Sequence, residues 1–156
     1  MNVREIMTSP VDAVPPVASV AEVAREMERT GVGCLVVLDQ EIVGIVTDRD
    51  LVIRCVARGL PAEQTLVRDV MSRDVMVVGP DNPVEDVFDV FGHHAFRRLP
   101  VVEGRSLVGL VTVDDLLLRA HYMFSGLLGP ISMETLVPRS REPAAGPRQR
   151  TGAEGG

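Results

Sequence analysis

The sequence predicts a mixed α/β (α+β) fold in which two tandem β-α-β-β-α repeats pack as a pseudo-two-fold module. Three observations predict it: an opening segment that occurs twice, a closing segment that occurs twice at nearly the same spacing, and a helical stripe followed by two apolar runs in each copy. With 156 residues, 46% of them hydrophobic, the chain is long and apolar enough to bury a core.

The repeat is visible in two matched pairs of segments. Residues 3–8 read VREIMT and residues 67–72 read VRDVMS, while residues 43–47 read VGIVT and residues 108–112 read VGLVT. Both pairs occur in the same order, and one inserted residue near Arg105 accounts for their slightly different spacing. This agreement of order and spacing indicates an internal duplication.

The duplication divides the chain into four predicted parts. Residues 1–60 form the first repeat, residues 61–125 the second, residues 126–139 an apolar strap, and residues 140–156 a disordered tail without large apolar side chains. A unit of about 60 residues buries little surface by itself. We therefore expect the two repeats to pack face to face, to share a core and to form matched clefts.

Each repeat carries a start signal for its first helix. Ser19 and Glu22 predict a capping box and Gly31 a helix end, while Asn82 and Pro83 precede the corresponding helix of the second repeat. The apolar stripes fall at i, i+3, i+4 and i+7. They consist of Val20, Val23, Ala24 and Met27 in the first repeat, and of Val84, Val87, Phe88 and Phe91 in the second.

Short apolar runs predict the strands. Two runs separated by a polar turn predict a β-hairpin in each repeat, an earlier run predicts a short first strand, and a second helix follows the hairpin. The predicted hairpins are 34–38 with 42–46 and 99–102 with 107–111, the first strands are 11–14 and 75–78, and the second helices are 48–58 and 114–124.

The segment 122–137 is expected to pack on the module or on a partner subunit, because its large apolar side chains would otherwise meet water. We expect the chain to fold normally without the residues after Arg139 but to lose stability without those after His121. Gly126, Gly129 and Pro130 are expected to prevent a single long helix. The apolar side chains are Met123, Phe124, Leu127, Leu128, Ile131, Met133, Leu136 and Val137.

Charge and hydropathy argue against several classes of protein. A net charge of −6 and a pI near 5.0 disfavour a nucleic-acid surface, and no apolar run reaches the roughly 20 residues of a membrane span. The N-terminal segment MNVREIMTSP lacks an apolar signal core, so we expect a cytoplasmic protein without membrane contact. Cys34 and Cys55 are expected to be buried, reduced thiols, with a redox switch as the alternative.

A T-x-x-D pattern occurs where each hairpin meets its second helix, as Thr47 with Asp50 and as Thr112 with Asp115. At such a junction the free backbone N–H groups attract an anion such as phosphate. A carboxylate one turn into the helix can accept two hydrogen bonds from the vicinal diol of a ribose. The pattern therefore predicts a nucleotide site in each repeat.

Helix capping is the alternative interpretation of the same pattern. A T-x-x-D sequence is also an ordinary capping box, and an acidic residue is favoured in the first turn of any helix. In addition, Arg54 follows Asp50 and Arg119 follows Asp115 by four residues, which predicts an ordinary ion pair in each helix. Only the repetition in the same surroundings favours the functional interpretation.

These residues resemble a known family. The pattern Val-Gly-hydrophobic-Val-Thr-x-x-Asp-Leu, closing a repeat that opens with hydrophobic-Met-Thr/Ser, is similar to the CBS domain, and two tandem copies resemble the CBS pair or Bateman module. The likeness covers about residues 1–125. The stretches 47–54 (TDRDLVIR) and 97–101 (RRLPV), the latter preceded by His94, also resemble small stand-alone bacterial CBS-pair proteins, including those of hypoxia or stress responses.

The resemblance implies roles for particular residues. In the family, the aspartate of the closing motif holds the ribose hydroxyls of adenosine and the Thr or Ser contacts ribose or phosphate. Those residues are here Asp50 with Thr47 and Asp115 with Thr112. The implied ligands are AMP, ADP, ATP, S-adenosylmethionine or related adenosyl compounds, bound for regulation, and no cofactor is required.

Arginines are the candidates for contacts with phosphate. Arg49 lies inside the first motif, and Arg97 and Arg98 precede a core strand of the second repeat; each could equally be a solvated surface residue. Because neighbouring strand residues point to opposite faces, only one of Arg97 and Arg98 is expected to face a cleft. The pair His93-His94 is predicted to be a helix end or part of a cleft, with no metal bound, because a third ligand at a familiar spacing is missing.

Three functions are compatible with the sequence. The leading hypothesis is a non-catalytic sensor that binds an adenosine-containing small molecule, forms a homodimer and acts on an unidentified regulated protein. The second is a dimerisation or protein-interaction module whose clefts are empty. The third, a nucleotide-processing enzyme, has little support because no catalytic arrangement of Ser, His, Asp or Cys accompanies the motifs.

Overall fold

A computed structural model describes residues 1–136, with side chains described up to Leu127. The chain divides into two compact units, Met1–Ala120 and His121–Gly156, and both repeats lie in the first. In chain order the elements are a 3-10 helix Val3–Glu5, β1 Ala13–Val14, α1 Val20–Thr30, β2 Cys34–Asp39, β3 Glu41–Thr47, α2 Asp48–Arg54, a 3-10 helix Val56–Arg58, α3 Val67–Val70, α4 Val84–His93, β4 Arg98–Glu103, β5 Ser106–Thr112 and α5 Val113–Leu136.

Helices α1 and α4 begin where the sequence predicts. The Ser19 and Glu22 side chains form a reciprocal capping box, and Gly31 ends α1 in the left-handed conformation with a φ of 71°. The predicted stripes are wrong at one equivalent position in each helix, since Ala24 and Phe88 are exposed. Each helix therefore buries a narrower stripe than its apolar pattern suggests.

The two hairpins have the same register. In the first, Cys34 pairs with Thr47; in the second, Arg98 pairs with Thr112; and both ladders shift register at the corresponding point in β2 and β4. This shared register makes position-by-position comparison of the repeats straightforward, because corresponding residues occupy corresponding places in the sheet.

The first strands differ between the repeats. Strand β1 pairs in parallel with β2, and the Val36 N–H donates to the Asp12 carbonyl at 3.4 Å. Among the described residues no strand forms over 75–78, where one was predicted, and only Val78 bridges Val101. The reason is Pro100, which occupies the place of Val36 and has no N–H to donate.

The opening segments are exchanged between the repeats. The Thr8 N–H and carbonyl bond to Leu110 of the second repeat at 2.8 and 3.0 Å, and Ser72 bonds in the same reciprocal way to Ile45 of the first, at 2.9 Å each. Each opening segment thereby joins the edge of the other repeat's hairpin. Two hydrophobic clusters result, each combining both repeats, instead of the one shared core that was expected.

Close backbone approach makes this exchange possible. Met71 of the second opening segment lies directly over Gly44 in β3, and Met7 of the first lies directly over Gly109 in β5. A Cβ added at Gly44 would meet the Met71 Cγ and the Ser72 carbonyl oxygen, each at 2.9 Å. The glycines of the repeated V-G-hydrophobic-V motif are therefore required by packing.

Helix α5 is longer than predicted. It runs through Gly126, Gly129 and Pro130 without interruption, so the expected break is wrong. A proline removes one helix hydrogen bond but does not oblige the chain to leave the helix. Residues 126–136 of the predicted strap therefore belong to α5, while residues 137–139 and the predicted disordered tail over 140–156 lie outside the described part.

The expected packing of the segment 122–137 on the module or on a partner subunit stays a prediction, although its described side chains are exposed in the single chain. Met123, Phe124 and Leu127 are each about 60% exposed, and Tyr122 is similarly open. The apolar pattern identified large side chains but not what they contact. The remaining apolar residues of that segment lie beyond the described side chains.

We predict that Gly44→Ala destabilises the fold by about 1–3 kcal/mol, because the new methyl group must displace the Met71 side chain and the backbone of Ser72. Urea denaturation followed by circular dichroism measures the change. Gly92→Ala is the matched control: nothing lies within 4 Å of its added Cβ in α4, so its stability should be unchanged or rise by about 0.5–1 kcal/mol. Equal effects of the two substitutions would contradict the packing argument.

Candidate functional site

Both T-x-x-D motifs form reciprocal capping boxes. The Asp50 N–H donates to Thr47 Oγ1 at 3.2 Å, while Asp50 Oδ2 accepts from the Thr47 N–H and hydroxyl, both at 3.0 Å. The corresponding bonds between Asp115 and Thr112 measure 3.1, 2.8 and 2.7 Å. The capping interpretation is therefore realised in both repeats, and any ligand must use the oxygen capacity that capping leaves over.

The second carboxylate oxygen differs between the repeats. Asp50 Oδ1 lies 3.5 Å from the Arg54 guanidinium, which also donates to the Val70 carbonyl at 2.8 Å and to Ser72 Oγ at 3.2 Å. The ion pair predicted for Asp115 with Arg119 is wrong: none is present in the described structure. Arg54 is held by acceptors on the exchanged segment, whereas Arg119 is exposed and makes no comparable bond among the described residues.

A cleft of about 610 Å³ lies beside the first motif. Five of the seven predicted site residues line it: Thr47, Arg49, Asp50, Arg97 and Arg98. The remainder of its lining comes from the same hairpin, from the segment after α3 and from the loop before β4. Those residues are Ile45, Asp48, Ser72, Asp74, Val75, Met76, Ala95 and Phe96.

A smaller cleft of about 260 Å³ lies beside the second motif. Of the predicted residues it contains Thr112 and Arg98, while Asp115 is not in its lining. The expectation of matched clefts is therefore wrong. The segment 73–77 of the larger cleft lacks the pairing that holds β1 in the smaller one, because Pro100 cannot donate. The other lining residues are Thr8, Pro10, Val11, Asp12, Val32, Gly33, Cys34, Val36 and Leu110.

The arginines of the larger cleft differ in how they are engaged. Arg97 donates to Asp114 at 3.2 Å, whereas no carboxylate of the described chain lies within 4.0 Å of Arg49 or Arg98. Both Arg97 and Arg98 line the cleft, which corrects the expectation that only one would. Arg97 precedes β4, so the alternation of strand side chains does not apply to it.

Histidines and cysteines take structural positions. His93 ends α4 and its Nδ1 lies 2.7 Å from the Asp89 carbonyl, while the His94 ring stacks on Phe96 at 5.1 Å. No cluster of His, Cys, Asp and Glu suited to a metal ion occurs within the described residues. Burial raises the pKa of the Cys34 thiol to about 11, so this thiol is protonated and unreactive near neutral pH.

Several lining residues were not singled out by the sequence. Ser72 and Asp74 lie next to the first motif only because the segment 67–72 crosses to the other repeat, and Met76 and Phe96 supply apolar walls. The recurrence of VREIMT as VRDVMS marked the segment but not its destination. No helix of the described chain has the length and apolar character to span a membrane.

Comparison with known proteins identifies the family. The family model of the CBS domain matches residues 3–56 and again residues 67–122. The chain is 36% identical over 116 residues to the CBS domain-containing protein YhcV of Bacillus subtilis, covering 74% of this chain and 82% of that protein. It is 29% identical over 115 residues to hypoxic response protein 1 of Mycobacterium tuberculosis, covering 72% of this chain and 80% of that protein.

A solved structure has the same architecture. The CBS domain pair of protein MJ0100, in complex with 5′-methylthioadenosine and S-adenosyl-L-methionine, matches with a TM-score of 0.68 at 25% identity, covering 81% of this chain and 97% of that one. Two family-model matches, in the order and at the spacing of the internal duplication, account for most of the chain. The chain therefore belongs to the CBS domain family and contains a CBS pair of the regulatory type.

Proposed function

We propose that this protein is a non-catalytic sensor that binds an adenosine-containing nucleotide, of the AMP, ADP, ATP or S-adenosylmethionine type, in a cleft between its CBS repeats. The observation that carries the proposal is the composition of the larger cleft. It combines the Thr47 and Asp50 pair with three arginines, two of which have no carboxylate within 4.0 Å in the described chain. Binding would be communicated to a regulated protein.

Each part of a nucleotide has a chemical counterpart in that cleft. The Asp50 carboxylate retains acceptor capacity for the ribose diol beyond its bonds to Thr47, since two carboxylate oxygens offer about four acceptor sites. Arg49 and Arg98 present forked donors suited to phosphate. The apolar side chains of Val75 and Met76 offer a surface for the adenine ring. A ligand of this composition would therefore use every side of the cleft.

The relative of known ligand supports the same chemistry. The two molecules in the MJ0100 complex share an adenosine group. That pair matches this chain over its two repeats, so its binding of adenosyl compounds favours an adenosine group as the common part of the ligand here. The smaller cleft is a weaker candidate, because Asp115 does not line it.

We predict that Asp50→Ala weakens binding of AMP by about 10–150-fold, the equivalent of losing about 1.5–3 kcal/mol from a charged hydrogen bond. Independently of binding, loss of the cap should lower the free energy of unfolding by about 0.5–2 kcal/mol. Isothermal titration calorimetry measures the affinity, and thermal denaturation measures the stability. Asp50→Asn separates the two effects, because its amide oxygen keeps a cap acceptor while the carboxylate charge is lost.

Asp115→Asn is the matched control for that experiment. It removes the same charge from the same motif in the second repeat, outside the larger cleft. The proposal expects AMP affinity to fall much more for Asp50→Asn than for Asp115→Asn. If both variants keep the AMP affinity of the unchanged protein and lose only stability, the motifs act as helix caps alone. This result would contradict nucleotide binding by the motifs.

A homodimer is favoured by a second observation, which also supports the alternative function of an interaction module with empty clefts. Corresponding positions on the second helices carry exposed apolar side chains in both repeats. Val52 matches Leu117, Ile53 matches Leu118, and all four are 51–60% exposed. Because exposed apolar side chains occur at equivalent positions in both repeats, we expect this face to be buried against a second copy of the chain.

We predict that the double substitution Leu117→Glu with Leu118→Glu shifts sedimentation equilibrium to the monomer mass of 16.9 kDa at micromolar concentration, since burying two added charges is strongly unfavourable. Val17→Glu, at a 61% exposed position outside these helices, should leave the dimer intact. A monomer mass for the unchanged protein would contradict the dimer. If that monomer still binds a nucleotide, the proposed sensor function is retained and only the proposed dimer is lost.

A further inference from the structure

The shared register of the hairpins allows the two clefts to be compared residue by residue. Because Cys34 and Arg98 begin β2 and β4 and pair with the threonines of the two motifs, they occupy corresponding places. The residues immediately before them, Gly33 and Arg97, also correspond. Each of the four lines a cleft, and only those of the second repeat carry positive charge.

The motifs add a third difference. Arg49 lines the larger cleft, and the corresponding residue of the second motif is Asp114. At a fourth position, Met76 in the larger cleft corresponds to Asp12 in the smaller one. The three arginines of the larger cleft thus correspond to an acid, a glycine and a thiol, and its apolar Met76 corresponds to the acid Asp12 of the smaller cleft.

Three carboxylates also line the larger cleft, and two of them already accept hydrogen bonds. Asp50 is bonded to Thr47 and lies 3.5 Å from Arg54. Asp48 accepts the Arg49 N–H at 2.8 Å. Only Asp74 has no hydrogen bond or ion pair among the described side chains, against two arginines without a carboxylate partner. The cleft therefore has unused donors for an anion.

The smaller cleft offers fewer arginine donors. Among the described residues its lining contains one arginine, Arg98, which also lines the larger cleft, so an anion bound there would draw on the same guanidinium. The Asp12 carboxylate adds repulsion for phosphate, and the Cys34 thiol adds no charge. A second phosphate would therefore enter a smaller space in which its only cation is shared.

We infer that the two clefts select different ligands: the larger cleft is the single phosphate-binding site, and the smaller cleft excludes phosphorylated nucleotides and accepts at most an unphosphorylated adenosyl group. This inference rests on the proposed nucleotide-binding function. It goes beyond it by separating the ligands of the two clefts, with phosphate held in the larger one by Arg49 and Arg98, one from each repeat. AMP would then bind in the larger cleft and be excluded from the smaller one.

AMP and adenosine provide the test, since they differ only in the phosphate. Calorimetric titration of the full chain should give one AMP per chain, with an affinity that falls as salt rises. Arg49→Ala and Arg98→Ala should each weaken AMP binding by about tenfold or more and adenosine binding by less than about twofold. Arg58→Ala, an exposed arginine outside both linings, should change neither affinity.

Two outcomes would overturn the inference while leaving the proposed function intact. One is binding of two AMP molecules per chain with equal affinity. The other is an equal loss of AMP and adenosine affinity in Arg49→Ala and Arg98→Ala, which would mean that these arginines do not recognise phosphate. Failure of AMP and adenosine to bind at all would overturn the proposed function and this inference together.

Discussion

The reciprocal backbone hydrogen bonds of the exchanged opening segments are the constraint on which the rest of the structure depends. They join Thr8 to Leu110 and Ser72 to Ile45, and they require the bare backbone of Gly44 and Gly109 beneath the two methionines. Ser72 lines the larger cleft and Thr8 lines the smaller one. The exchange therefore completes two cores and, with the same contacts, creates the places where a ligand could bind.

Local features were predictable from the sequence and long-range ones were not. The caps, the Gly31 stop and the hairpins depend on residues close together in the chain, and they appear where expected within a residue or two. The exchange depends on pairing between distant residues, which periodicity does not encode. The missing first strand of the second repeat was predictable in principle, because Pro100 stands where a donor is needed.

The same division applies to the candidate site. Repetition identified the T-x-x-D pairs, and composition identified the arginines that surround the first of them. Sequence could not distinguish Arg54 from Arg119, because their different engagement depends on the Val70 carbonyl and the Ser72 hydroxyl of an exchanged segment. It also suggested two equivalent clefts, since a repeated motif does not reveal that the segments facing it have diverged.

The exchange also sets an order of events during synthesis. Val3 is fully buried in the second cluster, whose other members extend from Val78 to Leu116. At a synthesis rate of about 5–20 residues per second, several seconds pass between the synthesis of Val3 and that of the residues that bury it. All members of the first cluster, from Val14 to Met71, emerge earlier. Val3 is therefore synthesised well before the residues that bury it, and the second cluster is completed after the first.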